Sequence, residues 1–275
     1  MKGSQLSPIS PPPAANSQGS RLGQSDWWEA LALALVGGML LRLRIRQELT
    51  LLIHENYLWL ATLSGCLLLA LGGIQLMRIL ARSSISSQSH QSLLPPRVGA
   101  GILLVAALLG FIVVPRPLSS QTALNRGVEQ NLSLARESPE AFQPRVDPGS
   151  RGLIDWIRTL DVYPDPANYI DQEVNVDGFV IPHDDLVAAN PEGSGEDVSS
   201  EGVFWLARFL ISCCAADAYP VGLPVIWPEA TSLEADRWLA VSGTMILDER
   251  GGSRRLAIRA ESVTPIDPPI NPYAY

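Results

Sequence analysis

Residues 57–77 constrain the fold more than any other stretch, because they form a run of twenty-one residues without a charged side chain. A helix needs about 20 apolar residues to cross the hydrocarbon core of a bilayer. The aromatic residues Tyr57 and Trp59 mark the start of the run, and Arg78 and Arg82 follow its end. Such residues are typical of the two membrane–water interfaces, so this run predicts a transmembrane helix.

Two further hydrophobic runs flank it, at residues 27–45 and 98–114. The first has an uninterrupted apolar core of twelve residues, which Arg42 and Arg44 can lengthen by extending their side chains toward the interface. The third has seventeen apolar residues and ends before Pro115. The pattern predicts a membrane anchor of three helices over 27–114, at about 27–45, 57–77 and 98–114, with a buried or re-entrant helix as the alternative for the first.

Charge divides the chain into a basic half and an acidic half. Residues 1–119 contain nine Lys+Arg and four Asp+Glu, whereas residues 120–275 contain eleven Lys+Arg and twenty-four Asp+Glu. An acidic domain repels phosphate, so we expect no nucleic-acid partner. With three spans, five basic residues lie on the N-terminal side of the membrane and four on the other. The positive-inside rule then predicts a multi-pass protein of the inner or plasma membrane, with the C-terminal domain outside the cytoplasm.

The polar segments suggest the remaining divisions of the chain. Residues 1–26 are rich in Ser, Pro, Gln and Gly and predict a disordered leader. Residues 115–148 predict a linker, residues 149–264 a small β domain, and the Pro-rich residues 265–275 an extended tail. A helical pattern over 149–160 opens the β domain, with Ser150 as its expected N-cap.

The fold predicted after this helix is mainly β. Gly178 is expected to mark a bulge, and residues 182–202 form an acidic, Gly/Ser-rich hairpin loop. Five short strands in about a hundred residues predict a small barrel, for which an OB-like barrel is the nearest named architecture. The predicted strands are 173–181, 203–214, 223–227, 237–247 and 254–263.

The strongest candidate site is a cluster of metal-ligand types, Cys213, Cys214 and Asp217. Thiolates and carboxylates bind zinc and related ions. Adjacent strand residues point to opposite faces, so both sulfurs reach one ion only if the strand ends and turns at this point. His183 is then the available fourth ligand. The alternative is structural: one cysteine fills the core, the other is exposed, and Asp217 caps the turn.

Other chemistry finds little support. The chain lacks a Walker loop, a GxGxxG motif and an HExxH motif. No base is paired in sequence with either thiol, so we expect no catalytic residues, no cofactor-binding residues and no enzymatic activity. The identity of a bound cofactor is left open by the sequence, and zinc is the candidate. Adjacent cysteines form a disulfide only in a strained geometry, and Arg208 is expected to pair with an acid at the barrel surface.

Several motifs resemble a known family. They are Asn56-Tyr57-Leu-Trp-Leu, Gly178-Phe179-Val180, Arg208-Phe-Leu-Ile-Ser-Cys-Cys-Ala-Ala-Asp217, Val241-Ser-Gly-Thr244 and Pro272-Tyr-Ala-Tyr275. From about residue 27 onward the chain is similar to the YcgQ-type family of permease subunits. The resemblance implies a membrane anchor, a C-terminal domain without assigned function, an integral-membrane permease partner and a metal-linked role. Some members of the family have a His-rich loop at this place, but residues 83–96 of this chain contain a single histidine, His90.

Three functions follow as hypotheses. The first is a membrane-anchored accessory subunit of a transport complex, which contacts the lipid bilayer and a permease. The second is a stand-alone, zinc-type metal-binding protein that uses Cys213, Cys214 and Asp217. The third is an OB-like module that binds a peptide or glycan and has structural cysteines.

Overall fold

The computed structural model describes residues 24–81, 96–128, 147–163, 165–189, 202–249 and 255–274. The chain forms two compact units. The first comprises Met1–Met39 with Ser64–Ile112, and the second comprises Leu40–Leu63 with Val113–Tyr275. The predictions for residues 1–23 and for the loop that contains His90 lie outside the described residues.

Helices occupy the three hydrophobic runs: α1 at Gln24–Ile45, α2 at Leu58–Leu80 and α3 at Pro96–Ile112. Within the first unit, glycines bring α1 and α2 close together. A Cβ at Gly37 would lie 2.8 Å from the carbonyl oxygen of Gly65, and one at Gly72 would lie 3.1 Å from that of Ala30. Small residues at such contacts are typical of helix pairs in lipid.

One helix in the described part of the chain, Glu55–Leu80, is long and apolar enough to cross a membrane. The apolar part of α3, Val98–Ile112, is shorter, and α1 carries Glu29 near one end and Arg42 and Arg44 at the other. Length and composition therefore support a membrane location through α2. Three spans and their orientation remain predictions.

The second unit contains the predicted barrel. Its five strands are β1 at Glu173–Pro182, β2 at Val203–Leu210, β3 at Tyr219–Ile226, β4 at Trp238–Asp248 and β5 at Arg255–Pro265. They follow the order β1-β4-β5-β3-β2, and a β1–β2 pairing closes the sheet. Neighbouring strands run antiparallel except β3 and β5, which are parallel. The closed five-stranded barrel is thus confirmed.

Alternation along the strands produces two apolar layers. One face of β2 contributes Phe204 and Leu206 to the barrel interior, and the other contributes Trp205 and Phe209 to the outer layer. Helix α5, Leu153–Val162, joins the inner layer through its fully buried Trp156. The N-cap of α5 is Gly152, not the predicted Ser150, because residues 148–150 form a separate 3-10 turn capped by Asp147.

Strand ends were predicted less well than strands. The second predicted strand reached Cys214, but β2 ends at Leu210. The third was predicted from Leu223, but β3 begins at Tyr219, because pairing with β2 runs through residues that favour turns in isolation. The bulge of the barrel lies at Ser242/Gly243, not at Gly178.

Three shorter elements complete the barrel surface. Within the predicted linker, α4 at Ser120–Arg126 packs Ala123 into the outer apolar layer. Within the predicted 182–202 loop, α6 forms at His183–Ala189. Within the predicted tail, β6 at Tyr273–Ala274 pairs in parallel with the end of β2.

Candidate functional site

The two cysteines lie in a turn between β2 and β3. After β2 ends, the side chain of Ile211 is buried, and the chain then turns through exposed Cys213 and half-buried Cys214. A 3-10 turn, Ala215–Asp217, leads into β3. The turn frees the sulfurs from strand alternation, which is the condition for their meeting at one point. They lie 3.6 Å apart.

Asp217 folds back onto this turn and caps it. Its Oδ2 accepts the N–H of Cys213 at 2.7 Å, and its Oδ1 accepts those of Ser212 at 3.2 Å and Cys214 at 3.4 Å. A carboxylate has about four acceptor positions in total. Three of them are therefore taken by backbone N–H groups, as the capping alternative predicts.

The carboxylate also governs the thiol beside it. The pKa of Cys213 is raised to about 12, first by the hydrogen bond to Asp217 and then by the hydrogen bond to Cys214. Burial acts to raise the pKa of Asp217, but the hydrogen bonds from the Cys213 thiol and from the three backbone N–H groups outweigh it and lower that pKa. The resting Cys213 is therefore a neutral thiol next to a carboxylate.

The connection between α1 and α2 pairs with the cysteine turn. Ile53 and Cys214 form an antiparallel bridge. The N–H of His54 donates to the carbonyl of Cys213 at 3.0 Å, and the N–H of Ala215 donates to the carbonyl of Leu52 at 2.9 Å. We call these two hydrogen bonds the connection ladder. Its residues come from distant parts of the sequence, and together they fix the backbone of the cysteine turn.

Side chains around the ladder extend the contact. The Nδ1 of His54 accepts the N–H of Asn56 at 3.0 Å, and Glu55 accepts a hydrogen bond from the side chain of Asn271 at 2.8 Å. The sequence suggests only an amphipathic stretch at the membrane surface for residues 46–56. No local pattern there signals the pairing, because its partners are supplied by the barrel.

His183 does not join the cysteines. It follows Pro182, which pairs with Phe204 at the beginning of β2, whereas the cysteines follow the end of that strand. The six steps along β2 from Phe204 to Leu210 place the two positions about 20 Å apart at about 3.3 Å per residue. His183 is instead buried at the start of α6.

Arg208 pairs with Asp177, as expected from the sequence, and its guanidinium also lies 5.3 Å from the centre of the Trp238 ring.

The site has the elements of a metal centre. The sulfurs of Cys213 and Cys214 and an oxygen of Asp217 lie within 4.8 Å of one another. Two metal–sulfur bonds of about 2.3 Å at a tetrahedral angle span about 3.8 Å, close to the observed sulfur–sulfur distance. The sulfurs could thus bind one ion with little rearrangement. Metal ligation by these three residues remains a prediction.

Fold and site together define a closed five-stranded barrel domain with a Cys-Cys-x-x-Asp turn. Residues 150–275 match the family model described as the DUF1980 C-terminal domain, which supports a DUF1980-type family for this part of the chain. Searches of curated proteins and of solved structures gave no match.

Proposed function

We propose that this protein is a membrane-anchored accessory subunit of a transport complex, with a permease as its integral-membrane partner and a metal-linked barrel. The proposal includes three membrane spans, an OB-like barrel and a C-terminal domain outside the cytoplasm. The support for this proposal comes from the arrangement of the chain.

The connection ladder is the observation that carries the proposal. It joins the candidate site to the segment between α1 and α2 through main-chain hydrogen bonds. A ligand on the sulfurs would therefore act directly on a segment continuous with two hydrophobic helices. A barrel that only bound its ligand in isolation would have no need of this attachment.

The other components have separate support. The apolar helices at 27–45 and 98–114 add two spans to the one supported by length and composition. The five-stranded closed order, with β3 and β5 parallel, supports an OB-like barrel.

Co-purification of the tagged full-length chain in mild detergent tests the proposal. We expect stoichiometric recovery of one multi-spanning protein. Gly73 on α2 offers a designed variant, because a Cβ at this position meets no heavy atom within 4 Å. Gly73→Leu should reduce recovery if α2 contacts the partner. Recovery of the chain alone would overturn the proposal.

A second candidate is a metal-binding protein that acts without a permease. The close approach of the two thiols and the carboxylate favours it. Metal analysis of the purified full chain, with Cys213→Ser and Cys214→Ser as variants, tests it. Stoichiometric metal that is lost in both variants, together with no co-purifying membrane protein, would support this candidate over the first.

A further inference from the structure

We propose that Cys213 and Cys214 form a two-thiolate site for Cu(I) with one coordination position left open, and that Asp217 orients the sulfurs without binding the ion. This inference rests on the proposed metal-linked role, and it names the ion and the division of labour among the three residues.

The number of available ligands argues against a closed zinc site. Structural zinc sites use four ligands in tetrahedral geometry. In the described ranges, the group around the sulfurs contains one further ligand type, the carboxylate of Asp217. Both of its oxygens already accept backbone N–H groups. Using this carboxylate as a ligand would compete with the capping of the turn, and a tetrahedral ion would still lack its fourth ligand.

Cu(I) fits what remains. Soft thiolate ligands suit Cu(I), zinc and iron–sulfur clusters, and among these the two sulfurs lack the further ligands that a closed zinc site needs. With metal–sulfur bonds as long as those of zinc, about 2.3 Å, the 3.6 Å between the sulfurs corresponds to an angle of about 100° at one ion, which leaves a third direction free. The backbone around Cys213 is already ordered, because its N–H is held by Asp217 and its carbonyl by His54. Little ordering entropy is then lost when the ion binds.

Exposure indicates how the ion would enter and leave. Cys213 is exposed and Cys214 is half-buried, so the third direction is open to solvent or to a donor group on another protein. On binding, two S–H bonds and the bonds of Cu(I) to its donor break, two Cu–S bonds form, two protons pass to the buffer and the donor ligands are released. Copper keeps its oxidation state, so the step needs no oxidant or reductant. An open third position suits transfer of a cargo ion by ligand exchange.

The experiment is an anaerobic titration of the full-length chain in detergent with Cu(I) supplied as its bicinchoninate complex, whose colour fades as the protein removes copper. We expect one Cu(I) per chain in the wild type and in the matched control Cys66→Ser, since Cys66 lies on α2 outside the cluster. Cys213→Ser and Cys214→Ser should each weaken binding at least about 100-fold. Asp217→Asn should keep the stoichiometry.

A parallel titration with Zn(II) and a chromophoric zinc indicator provides the comparison. Tight stoichiometric Zn(II) binding that Asp217→Asn abolishes would overturn the inference, as would Cu(I) binding that survives both serine variants, or no Cu(I) binding at all. Thermal melts verify that each variant is folded. If a serine variant unfolds, alkylation of the folded wild type with N-ethylmaleimide replaces it and should likewise abolish binding.

Co-purification of the membrane partner keeps the two proposals separate. Partner recovery without Cu(I) binding would overturn this inference alone. Cu(I) binding without a partner would overturn the accessory-subunit role and leave the site assignment standing.

Discussion

The carbonyl oxygen of Cys213 accepts a hydrogen bond from the N–H of His54 at 3.0 Å. This contact joins the turn after β2 to the connection between α1 and α2. Because the N–H of Cys213 is bound by Asp217, both polar backbone groups of this residue are satisfied by partners outside the β sheet. The geometry of the thiols therefore depends on Asp217 and on the connection ladder, which single substitutions can weaken separately.

Ala215→Pro should remove one hydrogen bond of the connection ladder and preserve the turn. Ala215 is the first residue of its 3-10 turn, where proline is tolerated, and the preceding Cys214 is extended, as a residue before proline prefers. The N–H that donates to Leu52 would be absent. We expect faster amide hydrogen exchange at residues 52–54 and a decrease of about 0.5–1.5 kcal/mol in the free energy of unfolding.

Ala216→Ser is the matched control, because Ala216 is exposed and its substitution leaves the Ala215 N–H in place. Unchanged exchange at residues 52–54 in Ala215→Pro would contradict the ladder.

Asp217→Asn should make Cys213 more reactive toward iodoacetamide. Removal of the negative charge and of its hydrogen bond takes away the main cause of the raised thiol pKa, so the pKa should fall from about 12 toward the ordinary value. Each unit of decrease raises the thiolate fraction about tenfold at a fixed pH below the pKa. Alkylation at pH 8, located by mass spectrometry in a Cys66→Ser background, should accelerate at least about tenfold. An ordinary pKa of the Cys213 thiol in the wild type would contradict the role of Asp217 in raising that pKa.

Asp217 should also contribute stability that depends on pH. Its pKa is lowered in the folded protein, so the contribution is present above the unfolded pKa of about 3.9 and is lost as the pH falls through the lower folded value. Asp217→Ala should cost about 1 kcal/mol near pH 7, the typical cost of losing a cap. The difference in melting temperature from the wild type should shrink as the pH falls below about 4. A difference independent of pH would contradict the role of the charged carboxylate.

Gly178→Ala should destabilise the barrel. A Cβ at this position would lie 2.6 Å from the carbonyl oxygen of Ala207, so the backbone of β2 must shift to admit it. We expect the free energy of unfolding to fall by about 1–3 kcal/mol. Tryptophan fluorescence during thermal unfolding measures the change. Gly101→Ala on α3 is the control, because a Cβ there meets no heavy atom within 4 Å. Equal melting temperatures of the two variants would show that β1 and β2 leave room for a side chain at Gly178.

The candidate site could be predicted in part. The three ligand types are close in sequence, so their proximity follows from any turn at that point. The sequence could not place His183, because its distance from the cysteines depends on how β1 pairs with β2. It also could not distinguish Asp217 as a cap from Asp217 as a ligand, since that depends on which backbone N–H groups face the carboxylate.

Local pattern by itself determined the three hydrophobic helices and the five strands of a small barrel, because apolar runs and alternation depend on neighbouring residues alone. Only the tertiary structure decided where β2 stops and β3 starts, because the partner strand supplies the hydrogen bonds that include or exclude a residue. The connection ladder was decided in the same way. Its two hydrogen bonds join segments that are far apart in sequence, and no pattern within either segment encodes the other.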